Sequence, residues 1–303
     1  MRRILLLGSS GQIGWELART LAPLGAIATP PRRDLDLADA DAIRSAIRAA
    51  APDLIVNAAA YTAVDKAESD EVLAKAINGT APGVIAEEAK RRAIPLVHFS
   101  TDYVFAGDSA QPYRECDAVA PINAYGRGKL AGEEAIRQSG AVHLILRTSW
   151  IYALRGGNFL LTIAKLARQR DELRVVDDQT GSPTWARLVA EAVAQILAAT
   201  GATRGWQPLA ERGGLYHLTA SGRCSWFDFA TAIRAHLDAD AGPIARIVPI
   251  GSDQYPTAAR RPSFSVLDCG LLAERFGLRL PAWNDGLDLC LAGGTLPLSP
   301  TAR

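Results

Sequence analysis

The sequence has few cysteines, few histidines and almost no net charge, and each shortage argues against a class of protein. The four cysteines among 303 residues are far apart and form no C-x-x-C pair, so neither a disulfide framework nor a zinc site is indicated, and we expect a reducing cytoplasm. The four histidines are scattered as well, and no metal site is predicted from them. A net charge of +1 gives no field that would draw the chain to nucleic acid or to an anionic membrane. No apolar run reaches the roughly 18 residues of a membrane-spanning helix.

The N-terminal segment combines a short apolar run with a glycine-rich turn. Residues 4–7 are typical of a strand buried on both faces of a parallel sheet, and helical spacing begins at Trp15. Between them stands a G-x-x-G-x-x-G turn, whose backbone can approach a pyrophosphate lying on the helix N-terminus. A glycine turn without a ligand is the alternative. The predicted cofactor-binding residues of this turn are Gly8, Gly11, Gln12, Ile13 and Gly14.

The second predicted strand, residues 25–29, lacks the acidic residue that would hold the ribose of NAD. Arg32 and Arg33 follow it instead. Arginines at this place suit the 2′-phosphate of NADP, although a solvated pair of arginines is equally compatible with the pattern. We therefore expect NADPH as the cofactor, with NADH possible.

Apolar strands and helical segments alternate up to about residue 150, which predicts a doubly wound parallel α/β sheet of the Rossmann type. We expect an NAD(P)-binding domain over residues 1–152, to which segments near 178–220 return. A smaller α/β domain over residues 153–303 would hold the substrate.

One predicted strand, residues 53–61, ends in Ala58, Ala59 and Ala60. Small side chains at the carboxyl end of a parallel strand leave room for a bound cofactor, which is where such sheets bind their ligands. Close helix packing is the alternative explanation.

Tyr125 and Lys129 stand four residues apart in a predicted helix that begins near Asn123, so both side chains lie on one face. An ammonium group beside a phenol lowers the pKa of the phenol, which would help Tyr125 to pass a proton at neutral pH. The spacing alone is common in helices. It gains weight from the glycine turn and from Ser100 and Thr101, which follow a predicted strand over residues 94–99.

Eight segments carry a family pattern in a fixed order: residues 8–17, 56–65, 100–105, 125–129, 147–152, 177–184, 214–218 and 261–262. Together they resemble the extended short-chain dehydrogenase/reductase family over nearly the whole chain. The resemblance implies an enzyme that uses NADPH or NADH to reduce the 4-keto group of a dTDP-linked deoxysugar.

The resemblance also implies roles for three residues. Tyr125 would be the general acid, and Lys129 would lower its pKa and hold the nicotinamide ribose. Thr101 would hydrogen-bond the keto oxygen or the Tyr125 hydroxyl. For Thr101, a hydroxyl that caps the turn after its strand is the alternative.

Further contacts follow by analogy with the same family. Trp150 would pack on the sugar or the nucleotide, although an aromatic core residue is equally compatible. Arg261 would contact the nucleotide diphosphate. Asp102 would tune the Tyr125 site or bind substrate, and Asp36 and Leu37 would lie beside the adenine.

Position 103 separates two chemistries. Sugar 4,6-dehydratases of this superfamily carry Asp and Glu after the threonine, whereas here Tyr103 occupies the Glu position, which favours a reductase. Another nucleotide-sugar reductase, an epimerase and a non-catalytic regulatory subunit stay open as alternatives. The intact set of Thr101, Tyr125 and Lys129 argues against the last of these.

Some family members dimerise through acidic residues around a magnesium ion. Glu16 fits the helix that supplies them, but Arg187 stands where a second carboxylate is needed, which argues against a metal-bridged dimer. Glu16 is thus a weak candidate ligand for magnesium, and both a monomer and a homodimer stay open.

Overall fold

A computed structural model describes residues 2–201, 207–238, 240 and 242–292 of the protein. Six parallel strands form its largest sheet, in the order β10-β5-β4-β3-β1-β2. The strands are β1 (Arg3–Leu7), β2 (Ala26–Ala28), β3 (Leu54–Asn57), β4 (Leu96–Thr101), β5 (His143–Thr148) and β10 (Gly214–His217). The predicted Rossmann-like α/β fold class is confirmed. Every residue of β3 and β4 is buried, as expected for strands covered on both faces.

Helices cover both faces of this sheet. On one face lie α1 (Gln12–Thr20), α8 (Ala186–Gly201) and α9 (Gln207–Arg212), where Leu17 and Val193 belong to one apolar core with the sheet. On the other face lie α2 (Ala40–Ala50), α5 (Ala81–Arg91) and α6 (Ala124–Ser139), with Ile43 and Ile136 in a second core. The glycine turn and the Tyr125 helix therefore approach the sheet from opposite sides.

Helical spacing predicts one long helix over residues 71–92, and the chain is helical over residues 71–91, with one π-helical turn inside it. The chain forms α4 (Glu71–Lys75), a π-helical turn (Ala76–Thr80) and then α5. The turn carries the buried side chain of Asn78, whose amide accepts from the Tyr61 N–H at 2.8 Å and donates to the Tyr61 carbonyl at 2.9 Å. The π turn thus ties the segment after β3 to the helix layer, and π turns of this kind often occur beside functional sites.

A smaller lobe packs beside the main sheet. Its centre is a parallel pair, β7 (Glu172–Val176) and β12 (Arg246–Ile250), covered by α7 (Phe159–Ala167) and α10 (Trp226–Ala235). These elements share an apolar core with α12 (Trp283–Ala292). The remaining elements are α3 (Val64–Ala67), β6 (Ile151–Tyr152), β8 (Thr180–Gly181), β9 (Thr184–Trp185), β11 (Cys224–Ser225) and α11 (Gly270–Phe276).

Two segments that follow residue 152 pack with the main sheet. Strand β10 pairs with β5, and α8 packs against α1. The division into domains at residue 152 stays a prediction, and residues 293–303 of the expected substrate domain lie outside the described residues. Among the helices that the structure describes, none has the length and apolar character needed to cross a membrane.

Candidate active site

The predicted site residues converge at the carboxyl edge of the main sheet. The glycine turn follows β1, Ala58 follows β3, Thr101 ends β4, and Ser149 follows β5. Strand β1 has β2 on one side and β3 on the other. The chain first crosses to β2 and then crosses back over β1 to reach β3, so the winding of the sheet reverses at β1. Open α/β sheets bind ligands at this reversal point.

The glycine turn is shaped by contacts that no other residue allows. Gly8 has a φ of +81°, and a Cβ built there would lie 2.5 Å from the backbone nitrogen of Ala59. A Cβ at Gly14 would lie 2.1 Å from the Gly8 carbonyl oxygen. Helix α1 begins after Gly11 and has no side-chain cap, so the first backbone N–H groups, at Gln12 and Ile13, are free for an anion. This cradle fits a dinucleotide pyrophosphate.

Replacing Gly14 by alanine should damage this cradle. The methyl group meets fixed backbone, so we expect a loss of about 1–3 kcal/mol in unfolding free energy and at least about a tenfold weaker NADPH affinity. Urea unfolding and a fluorescence titration with NADPH measure the two effects. Gly157→Ala is the matched control, because a Cβ there meets nothing within 4 Å. Unchanged NADPH affinity in Gly14→Ala would contradict the assignment of the cradle.

A loop from the smaller lobe covers the glycine turn, and no sequence pattern predicts this contact. Asn158 donates to the side-chain oxygen of Gln12 at 2.9 Å. The guanidinium of Arg155 stacks on the Trp15 ring at 3.4 Å from its centroid, and the Nη1 atom of Arg155 is buried without a hydrogen-bond partner. Burial lowers the pKa of Arg155 below its usual range. An orphaned cation beside the cradle fits the pyrophosphate as its missing partner.

The predicted adenine end of the cofactor site is open. Arg32 is exposed and makes no ion pair within the described part of the chain, so its guanidinium is available for a 2′-phosphate. Asp36 is also exposed and accepts from the Ala38 N–H at 2.8 Å, whereas Leu37 is half-buried against the α2–α5–α6 core. These placements are compatible with the predicted roles and do not test them.

The catalytic helix lies close to β4 because glycines face its neighbours. A Cβ at Gly126 would lie 2.2 Å from the Tyr103 carbonyl oxygen, and one at Gly132 would lie 2.2 Å from the Asn78 carbonyl oxygen. Asn123 caps α6 by accepting from the Gly126 N–H at 2.8 Å. This close approach brings the Tyr125 hydroxyl near enough to Thr101 for the threonine to lower the Tyr125 pKa.

The expected lowering of the Tyr125 pKa by Lys129 is wrong for this structure. Burial, followed by the negative charge of Asp102, raises the pKa of Tyr125 to about 12. The ammonium side chain points elsewhere: Lys129 Nζ lies 2.6 Å from the Phe99 carbonyl oxygen and 3.2 Å from His98 Nε2. Burial lowers the pKa of Lys129 to about 8. Shared helical spacing therefore does not bring the two functional groups together.

Asp102 is the centre of a buried hydroxyl cluster. Its carboxylate accepts from Thr101 Oγ1 at 2.9 Å and from Ser149 Oγ at 3.0 Å, and the nearby hydroxyl of Ser265 also lowers its pKa. Burial raises the pKa of Asp102 to about 6 despite these three hydroxyls. Thr101 has one proton to share between Asp102 and Tyr125, so the protonation of Asp102 sets which way the Thr101 hydroxyl points. Sequence reasoning missed both serines.

Replacing Asp102 by asparagine should change how stability depends on pH. The pKa of Asp102 in the folded protein lies above its unfolded value. The protonated carboxyl group therefore adds to the unfolding free energy below the unfolded pKa, and this stabilisation is lost as the pH rises through about 6. The unfolding free energy of Asp102→Asn relative to the wild type should therefore increase between about pH 4 and pH 7, by up to about 3 kcal/mol. Urea unfolding at several pH values measures this difference. A difference that is constant with pH would contradict a raised Asp102 pKa.

Trp150 lies between the lobes and is not free to present both faces. Its ring stacks on Trp226 with centroids 3.4 Å apart and planes 3° apart. Its φ of +47° is in the left-handed region, which is costly for a bulky residue, and a Cβ at Gly181 would lie 2.4 Å from the Trp150 ring. The predicted sugar contact could use only the edge or the remaining face of this ring.

A cavity of about 590 Å³ opens between the lobes, lined by residues 106–108 and by the segment after β12. Both Arg260 and Arg261 line it. The guanidinium of Arg261 pairs with both carboxylate oxygens of Asp65, at 3.1 and 2.7 Å, and lowers the pKa of Asp65. Arg260 is exposed and has no ion pair within the described residues, so it is the cation left available to an anion in this cavity.

Glu16, the candidate metal ligand, is paired with an arginine. Arg187 Nη1 lies 3.2 Å from Glu16 Oε2, and Arg187 Nε lies 2.6 Å from Glu191 Oε1. The described residues contain no group of three or more His, Cys, Asp or Glu side chains placed to hold a metal ion. The guanidinium therefore stands where a cation between the two carboxylates would stand.

The parallel sheet and the glycine turn at its reversal point place the chain in the class of Rossmann-like nucleotide-dependent enzymes. Its sequence matches the model of the RmlD substrate binding domain over residues 1–295, and the chain belongs to that family.

Similar proteins agree with this assignment over their full lengths. The chain is 48% identical to the dTDP-4-dehydrorhamnose reductase of Burkholderia thailandensis over 293 residues, which cover 95% of this chain and 98% of that one. It is 42% identical to the enzyme of the same name from Escherichia coli K12, with 94% and 95% covered. The crystal structure of dTDP-4-dehydrorhamnose reductase from Bacillus anthracis in complex with NADP matches with a TM-score of 0.87 at 32% identity, covering 97% and 99%.

A more distant structure shares the fold alone. UDP-glucose 4-epimerase from Thermus thermophilus, solved with NAD, matches with a TM-score of 0.77 at 19% identity, covering 96% of this chain and 98% of that one. The same scaffold therefore carries more than one chemistry, and the activity has to be argued from the site.

Proposed function

We propose that this protein is an NAD(P)H-dependent reductase that converts dTDP-4-dehydro-L-rhamnose into dTDP-L-rhamnose. The observation that carries the proposal is the placement of the Thr101 hydroxyl of β4 next to the Tyr125 hydroxyl of α6, at the sheet edge that also holds the glycine turn. Similarity over the full length to reductases of this name supports the choice of substrate.

The residues of the glycine turn fit the dinucleotide. Gly8 and Gly14 keep the cradle empty of side chains, the free N–H groups of Gln12 and Ile13 face the pyrophosphate, and Arg155 neutralises it from the smaller lobe. Arg32 would pair with a 2′-phosphate, which favours NADPH over NADH. When bound, the cofactor supplies the hydride that reduces the keto carbon.

Tyr125 acts as the general acid for the developing alkoxide. Its raised pKa keeps the phenol protonated at neutral pH, as a proton donor must be before the reaction. Asp102 positions Thr101 by accepting its hydroxyl proton, and Thr101 would hydrogen-bond the keto oxygen when that proton turns away from Asp102. The absence of a carboxylate at Tyr103 leaves no acid–base pair for elimination of water.

Substrate would occupy the cavity between the lobes, with its diphosphate on Arg260. Replacing Arg260 by alanine should raise KM for the dTDP-sugar about tenfold with turnover nearly unchanged, because a charge-assisted hydrogen bond contributes about 1.5–3 kcal/mol. Steady-state kinetics at saturating NADPH measure both constants. Arg170→Ala is the control, since that exposed arginine lies on the loop after α7. Equal KM values in the two variants would remove Arg260 from the site.

The two parts of the chain would bind different ligands. We propose that residues 1–152 chiefly bind the cofactor and residues 153–303 chiefly bind the nucleotide sugar, with Arg155 and Ser265 as contributions of the second part to the first. Four free thiols suit a cytoplasmic enzyme, as monomer or homodimer.

The proposed reaction is tested by the absorbance of the reduced nicotinamide with dTDP-4-dehydro-L-rhamnose, first with NADPH and then with NADH. We expect one equivalent of NADPH to be oxidised for each substrate consumed, and a higher KM for NADH. Substrate that is isomerised without net NADPH loss would favour an epimerase instead. Binding of both ligands without any turnover would favour a regulatory protein.

A further inference from the structure

A chain of three buried polar side chains leads from the cofactor edge of the sheet to Lys129. Asn57 Nδ2 on β3 lies 3.1 Å from His98 Nδ1 on β4, and His98 Nε2 lies 3.2 Å from Lys129 Nζ on α6. The three residues are 2%, 0% and 2% exposed. Buried polar groups of this kind keep one hydrogen-bond arrangement, because an unsatisfied partner is costly.

The direction of each hydrogen bond is fixed from one end. The backbone N–H of Ala59 can only donate, and it lies 3.2 Å from Asn57 Oδ1. The amide nitrogen of Asn57 must then face His98, where it donates to Nδ1. Burial, which is the largest cause, holds the pKa of His98 well below its usual range, so the imidazole is neutral whatever the charge of Lys129. Its one proton is therefore on Nε2.

This tautomer has a consequence for the lysine. The Nε2–H of His98 points at Lys129 Nζ, and an ammonium group has only donors to offer in return. A neutral amine accepts from Nε2–H and still donates to the Phe99 carbonyl oxygen at 2.6 Å. The bonds made by Asn57 and His98 thus favour the uncharged lysine.

The other ionisable groups around Lys129 do not reverse this preference. Glu133 on the same helix raises the pKa of Lys129, but its carboxylate is bound on both oxygens by Arg147 of β5. Tyr125 is a protonated phenol, and the Asp102 carboxylate, in the turn after β4, accepts hydrogen bonds from the hydroxyls of Thr101 and Ser149. Burial remains the largest influence and lowers the pKa of Lys129 to about 8.

We propose that His98 is a positioning residue for Lys129, and that the Asn57–His98 pair sets the charge of this lysine before the cofactor binds. Charging Lys129 requires the His98 proton to move to Nδ1, where it meets the N–H groups of Asn57. The role in the reaction rests on the proposed function, in which Lys129 holds the nicotinamide ribose. The hydrogen-bond arrangement itself does not depend on turnover.

The chain offers a substitution that reverses the arrangement with almost no change of shape. In Asn57→Asp the carboxylate accepts both from Ala59 N–H and from His98 Nδ1–H, so Nε2 becomes an acceptor for a charged Lys129. We expect the Lys129 titration midpoint to rise by about one pH unit or more. His98→Gln is the second variant in case Asn57→Asp fails to fold, since its side-chain carbonyl can also accept from an ammonium group.

Nuclear magnetic resonance of the cofactor-free protein, labelled at lysine and histidine, measures both quantities directly. The sequence has five lysines and four histidines, so the signals can be assigned by substitution. We expect the wild-type His98 to be the neutral Nε2–H tautomer and Lys129 to titrate below the other four lysines. We expect Asn57→Asp to convert His98 to the Nδ1–H tautomer and to raise the Lys129 midpoint.

A double variant separates the effect of the hydrogen bonds through His98 from the effect of the added negative charge alone. Adding Asn57→Asp to the His98→Gln variant introduces the same carboxylate in a protein that lacks the imidazole. The rise in the Lys129 titration midpoint that Asn57→Asp causes should therefore be smaller in the His98→Gln protein than in the wild type. An equal rise in both backgrounds, or an Nδ1–H tautomer in the wild type, would overturn the proposal. Failure of the NADPH oxidation assay would instead count against the proposed function and would leave these titrations standing.

Discussion

Replacing Tyr125 by phenylalanine should lower the turnover number by about 10²–10⁴-fold, the usual contribution of a general acid. The variant loses only the hydroxyl that lies beside Thr101, and the ring still packs edge-on against Tyr103 with centroids 6.0 Å apart. NADPH affinity should therefore stay nearly unchanged. Single-turnover kinetics with saturating NADPH and dTDP-sugar measure the chemical step, and a fluorescence titration measures cofactor binding.

The matched control for this prediction is Tyr216→Phe. Tyr216 lies on β10 of the same sheet, and its hydroxyl donates to the Arg212 carbonyl oxygen at 2.5 Å, away from the site. The Tyr216→Phe variant also loses one phenolic oxygen, so a small loss of stability with normal turnover is expected. A Tyr125→Phe enzyme that keeps more than about a tenth of the wild-type turnover would show that another group supplies the proton.

Replacing Glu133 by glutamine should destabilise the fold by about 3–5 kcal/mol, because it leaves the buried Arg147 charge without a counter-ion. The carboxylate oxygens of Glu133 accept from Arg147 Nε at 2.9 Å and from Nη2 at 2.7 Å, and the two side chains are 1% and 3% exposed. His217, 3.5 Å from Arg147 Nη1, offers no compensation, since burial lowers its pKa to about 3. Urea unfolding measures the loss.

An exposed ion pair provides the comparison. Glu172 pairs with Arg246 at 2.5 Å on the surface, and Glu172→Gln should cost no more than about 1 kcal/mol. The Glu133–Arg147 pair also ties α6, which carries Tyr125 and Lys129, to β5. A loss below about 1 kcal/mol in Glu133→Gln would show that water or another group reaches Arg147 in the folded protein.

Local signals predicted the elements of the main sheet closely. The helix expected over residues 40–50 is found as α2 (Ala40–Ala50), because Asp39 caps it and Ile43 and Ile47 face the sheet. The strand expected over residues 173–176 is found as β7 (Glu172–Val176), one residue longer. The helix predicted over residues 71–92 is found over residues 71–91, but spacing did not predict the π turn inside it, where Asn78 bonds Tyr61.

Side-chain partners were predicted less well than positions. Arg261 was expected to meet the diphosphate, but its guanidinium pairs with Asp65, 196 residues away in the sequence. Arg260 beside it is the available cation. Lys129 was expected to act on Tyr125, yet it bonds His98 and the Phe99 carbonyl oxygen. No local pattern reports such pairings, because they depend on which strands become neighbours.

The sequence by itself determined the Rossmann-like scaffold, the place of the glycine turn and the residue types at positions 101, 125 and 129, because periodicity and turn chemistry are local properties. Only the tertiary structure decided the charges and the partners of these groups. The pKa of Tyr125 is raised because α6 packs closely on β4, and the charge of Lys129 depends on a histidine from one strand and an asparagine from the next. Burial and long-range hydrogen bonds set those energies, and they exist only once the chain has folded.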